Sequence, residues 1–84
     1  MASDIINDMR KTMLTKMIAK NIRSLRKKHE LSQKDLASLT GIARTTIARY
    51  ECCMHRMSID HLLLIARAIN ESPSSLLEGW ENII

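Results

Sequence analysis

Gly41 divides two helix-patterned stretches, and that division narrows what the chain can fold into more than any other feature. Before it, Leu36, Ala37 and Leu39 recur at helical spacing from Gln33 to Thr40. After it, a second helix is expected from about Ala43 to Cys53. A glycine takes the positive φ a chain needs to leave a helix sharply. Two helices of about eight residues joined by so short a turn must cross steeply. Such a crossing needs a small residue at closest approach, which Ala37 supplies. Ile42 then enters the core, Ile47 packs back from the second helix, and Leu36 and Tyr50 complete the cluster.

The flanking sequence reads as helix throughout, with one Pro and two Gly in 84 residues, enough for one domain. Ile5, Met9, Met13 and Met17 form an N-terminal stripe, and Ile18, Ile22 and Leu25 form another. Thr15 is able to cap a new start, so the pattern suggests a break near residues 12–16. This divides the chain into a helical extension or arm at 1–15, a domain at 16–79 and an apolar tail at 80–84. Ser32 and Asp35 resemble a capping box ahead of the second helix. Ser58 caps a fourth, whose Ile59, Leu62, Leu63, Ile65, Ala66 and Ile69 suggest a broad apolar face. Ser72-Pro73 opens a short fifth that is expected to end at Gly79, followed by Trp80, Ile83 and Ile84.

Charge points towards a polyanion. Residues 1–56 carry 12 Lys and Arg against 5 acids, a balance of +7; residues 57–84 carry one Arg against four acids, −3. On the third helix, with about 100° between residues, Ala43, Ile47 and Tyr50 are expected to face inward. Thr45, Ala48, Arg49 and Cys52 fall opposite, with Arg44 at the edge. Arginine bonds bidentately to guanine O6 and N7, and threonine bonds a base edge or touches a thymine methyl. No acid lies on that outward face to repel phosphate.

On these residues, from IRSLRKKHELSQKDLASLTGIARTTIARYE to SIDHLLLIARAINESPSSLL, the stretch 18–77 resembles the lambdoid-repressor (Cro/CI-type, Xre-like) helix-turn-helix family. The resemblance implies an all-α, five-helix DNA-binding domain, here with an extra N-terminal helical segment. It also implies a homodimer on a two-fold double-stranded DNA operator. By position, Arg44, Thr45 and Arg49 match base-reading residues. Gln33 and Thr46 match phosphate contacts, and Arg26 with Glu51 a structural pair; Lys34, and Arg56 in the loop after the reading helix, are expected to contact phosphate as well. Two departures stand out. Ala43 replaces the Ser or Thr that often caps the reading helix, and ECCMHRMS replaces a loop that often carries Gly and Lys.

Other classes have less behind them. Cys52-Cys53-Met54-His55 contains ligands suited to Cu(I) or Zn²⁺. Adjacent helical cysteines point about 100° apart, however, and no second pair exists to complete a tetrahedral site, so no metal or other cofactor is expected. No phosphate-binding glycine loop or nucleophile elbow supports an enzyme. No apolar run approaches a membrane span, and no signal peptide is legible, so a prokaryotic cytoplasmic location is expected. Within DNA-binding proteins, two further readings stay open: an antitoxin whose main partner is a toxin, and a restriction-modification controller protein.

Overall fold

The computed structural model describes residues 2–84. Five α-helices follow one another: α1 (Ala2–Lys28), α2 (Gln33–Thr40), α3 (Arg44–Glu51), α4 (Ile59–Ile69) and α5 (Pro73–Leu76). A 3₁₀ turn at Trp80–Asn82 completes the order, and the described residues contain no strand. The all-α expectation holds.

The core is aliphatic, as a chain lacking Phe requires. Ile22 of α1, Leu36 of α2, Ile47 of α3, Ile65 and Ile69 of α4 and Leu76 of α5 are all 0–1% exposed, with Ile42 and Tyr50 beside them. Each α-helix therefore delivers at least one aliphatic side chain to a common centre. Burying such a side chain contributes roughly 1.5–3 kcal/mol, so short helices that are marginal alone become stable together.

The expected break near residues 12–16 is absent: α1 runs uninterrupted for 27 residues. Thr15 does not cap a new helix. Its hydroxyl donates to the Lys11 carbonyl at 2.9 Å, and Thr12 donates to that of Asp8 at 3.0 Å. Threonine able to bond the preceding turn in this way sits inside a helix instead of starting one. Ile5, Met9 and Met13 on this extension are exposed.

The turn chemistry around α2 matches its sequence signals. Ser32 accepts from the Asp35 N–H, while the Asp35 carboxylate accepts from the Ser32 N–H, both at 2.9 Å. Those bonds hold the Asp35 carboxyl below its usual pKa range. The box is thus intact at neutral pH, and its contribution is lost only as acid titrates that carboxylate. Gly41 takes φ 75° and its N–H reaches the Ala37 carbonyl at 2.9 Å.

Three other helices stop where no glycine marks the end. Glu30, Cys53 and Asn70 adopt left-handed φ of 58°, 62° and 63°. In each case the next residue's N–H reaches back five positions, as in Leu31 to Arg26, Met54 to Arg49 and Glu71 to Ala66. This is the Schellman ending, here formed by side-chain-bearing residues. Near the C-terminus two expectations are corrected. Helix α5 stops at Leu76, short of Gly79; Ser72 takes the N-cap position ahead of Pro73 as expected, but its hydroxyl is bonded to those of Ser74 and Ser75 and makes no capping bond to the backbone. On α4, Ile59 and Leu63 do not join the core but stand 75% and 48% exposed.

Candidate nucleic-acid interface

Helix α3 is held from one side only. Ile47 and Tyr50 are buried beneath it, while Arg44, Thr45, Arg49 and Cys52 are exposed and Thr46 and Ala48 are half-buried. Ala43, expected to face inward, is exposed instead, because the helix begins one residue later and Ala43 is its N-cap in extended backbone. It makes no side-chain capping bond. Replacing Ala43 with Ser is therefore expected to raise stability by about 1 kcal/mol, measured as a higher urea midpoint with unchanged slope.

Three polar ties fix the pose of α3. The buried Arg26 of α1 grips Glu51 through both carboxylate oxygens at 2.8 Å, from Nε and Nη2, and donates from Nη1 to the Leu31 carbonyl at 2.8 Å. Its hydrogen bond to Glu51 raises the pKa of Arg26 further above its ordinary value. Gln33, half-buried at the first turn of α2, donates from Nε2 to the same carboxylate at 3.3 Å. One acid at the end of α3 thus ties together α1, α2 and α3. On the far side, the Tyr50 hydroxyl lies 2.6 Å from His61 Nδ1 of α4, the two rings edge to face.

The cations expected on this side are present, and more than sequence reasoning named. Arg23 and Lys27 of α1 line a shallow groove with Gln33 and Cys52. A second groove, between α1 and the loop after α3, is lined by Thr12, Lys16, His55 and Arg56. Arg49 Nη1 lies 3.5 Å from His55 Nε2, linking the outward face of α3 to that loop. Lys34 is exposed on α2. The signal for Arg23 and Lys27 existed: they sit four apart, on one face of a helix whose Arg26 already pointed towards α3. No three His, Cys, Asp or Glu converge among the described residues, and Cys52 and Cys53 are both exposed free thiols.

Two helices crossing at a left-handed glycine, the second locked inside and cationic outside, form a helix-turn-helix. Residues 22–76 match the model of the family HTH_3, described as helix-turn-helix. The chain belongs to that family. Its relatives include the control protein C.SmaI of Serratia marcescens, 34% identical over 71 residues that cover 82% of this chain and 84% of C.SmaI. The antitoxin PezA of Streptococcus pneumoniae is 41% identical over 56 residues, 67% of this chain. The repressor protein C2 of Salmonella phage P22 is 30% identical over 67 residues, 80% of this chain. The chain spans about a third of the length of PezA and of C2. Among solved structures, the restriction-modification controller protein C.AhdI of Aeromonas hydrophila superposes with a TM-score of 0.72 at 29% identity. That match covers 74% of this chain and 94% of C.AhdI. An HTH_3 transcriptional regulator from Vibrio cholerae gives 0.76 at 29% identity, covering 79% of this chain and 37% of that one. The family is one of DNA-binding transcription regulators, and the lambdoid-type resemblance read from sequence holds.

Proposed function

We propose that this member of the family acts as a dimeric, sequence-specific repressor, placing the α3 helices of two copies in successive major grooves about 34 Å apart. The observation that carries this reading is the division of α3. Arg44 and Thr45 make no side-chain hydrogen bond within the described residues, and Arg49 only the long contact to His55. Their donors are free for base edges, while Ile47, Tyr50 and Glu51 hold the helix at a fixed angle. Gln33, Lys34, Thr46 and Arg56 then set register by bonding phosphate, with Arg23 and Lys27 adding cations at the groove beside Gln33. No catalytic role enters this reading. It places the protein in the cytoplasm, and no described helix is long and apolar enough to cross a membrane.

Selecting bound sites from random DNA, with mass measurement of the complex, tests the proposal. A two-fold site carrying two chains is the expected outcome. Replacing Arg44 or Arg49 with Ala should cost about 1–3 kcal/mol at particular base pairs and relax specificity there. An equal loss on every sequence would remove the base-reading assignment.

A second reading, restriction-modification control, draws on the size match: this chain covers most of C.SmaI and of C.AhdI. Adjacent methyltransferase and endonuclease genes, with the selected operator between or before them, favour it. A neighbouring toxin gene and co-purification of its product favour the antitoxin reading that the PezA similarity raises.

A further inference from the structure

The fourth helix is apolar on two sides. Ile65, Ala66 and Ile69 fill the core, yet Leu63 and Leu64 stand 48% and 45% exposed on the opposite side. Together with Leu39 of α2, 61% exposed, they form an open apolar patch. The same patch is lined by one acid and one base, Asp60 and Arg67. Neither has an ion-pair partner in its own chain among the described residues, where the ion pairs are Arg26–Glu51 and His29–Glu71.

The order of these four residues is symmetric. Asp60 precedes Leu63 by three positions, and Arg67 follows Leu64 by three. Spacings of three, four and seven keep all of them on one helical face. When a second α4 lies antiparallel, related by a two-fold axis passing between Leu63 and Leu64, Leu63 meets Leu64 of the other copy. Asp60 then meets Arg67 of the other copy, and the reverse pair forms as well. A parallel pairing instead sets Asp60 against Asp60 and Arg67 against Arg67. A two-fold contact requires one patch to be complementary to itself, and charge complementarity selects the antiparallel arrangement.

We infer that this face of α4 is the homodimer interface, with Leu63 and Leu64 at its centre and two crossed Asp60–Arg67 pairs at its ends. The assignment rests on the dimeric reading above and names the surface that reading leaves open. The occupant is a second copy of this chain because the pattern matches its own reversal.

Sedimentation equilibrium over a concentration series, on the full chain without DNA, is the test. Asp60→Arg and Arg67→Asp each bring like charges together twice, and each should weaken the dimer by about tenfold or more. The Asp60→Arg/Arg67→Asp double variant restores opposite pairs and should recover most of that loss. The double variant also guards against a trivial explanation. Asp60 lies in the first turn of α4 and Arg67 in the last, each favourable to the helix dipole. An effect exerted only through helix stability would make the double variant the weakest of the three, and far-UV circular dichroism reports that directly. A wild-type dimer indifferent to both single variants overturns this surface and leaves the dimeric reading standing. A wild type that stays monomeric at every concentration overturns both, and the patch then belongs to a different protein.

Discussion

Replacing Glu51 with Ala is expected to lower the unfolding free energy by about 3–5 kcal/mol, a large share of the total for a chain this size. Arg26 is only 8% exposed, and Glu51 accepts from its Nε and Nη2 together. Without the carboxylate, a guanidinium remains buried with the Leu31 carbonyl as its one surviving protein acceptor. The amide of Gln33 loses its partner as well. That penalty measures a stranded charge, not what the intact pair contributes. The companion experiment is Arg26→Met with Glu51→Leu, which removes both charges and should recover most of the loss. Urea unfolding followed by circular dichroism gives both numbers. A single-variant cost below about 1 kcal/mol would mean that water reaches Arg26, and the pair would not be the tie proposed between α1 and α3.

The second large effect belongs to Ile47. It has no exposed surface and sits where the underside of α3 enters the cluster containing Leu36, Ile42 and Tyr50. Ile47→Ala removes three carbons from a packed centre and should cost about 2–5 kcal/mol, according to how far α2 and α1 collapse into the gap. Thr45→Ala, two residues away on the same helix but exposed, should change stability by less than about 0.5 kcal/mol. The two substitutions therefore separate the supporting side of α3 from its outward side. A loss for Ile47→Ala close to that of Thr45→Ala would mean that α3 is loosely seated and its angle poorly defined.

These two residues also show which parts of the fold were readable in advance. Leu36, Ile42 and Ile47 announced themselves because Gly41 fixed the turn and helical spacing then settled which side of each helix faces in. The Arg26–Glu51 pair came from the family resemblance, since nothing in local spacing joins residues 25 positions apart. Helix ends were legible where a specialised residue did the work, as at Ser32, Gly41 and Ser58. They were not legible at Glu30 or Cys53, where ordinary residues take the left-handed backbone and the bonds back to Arg26 and Arg49 offset the strain. The uninterrupted α1 was missed for a related reason. Threonine serves equally as a cap or as a donor to the turn before it, and only the three-dimensional backbone distinguishes the two. On α4, an apolar pattern broad enough to cover two sides was read as one core face. The inward position given to Ala43 failed by the width of a single residue at the helix start.

The one-sided anchoring of α3 also bears on how this protein diversifies. Arg44, Thr45 and Arg49 are exposed, so under the proposed base-reading role exchanging them rewrites which sequence is read while leaving the scaffold intact. Ile47, Tyr50 and Glu51 have the opposite character: changing any of them alters the scaffold before it alters the message. Eight residues thus keep an alphabet and its support on separate sides of one helix. On that proposal, a few substitutions on the exposed side suffice to give a descendant of this chain a new operator.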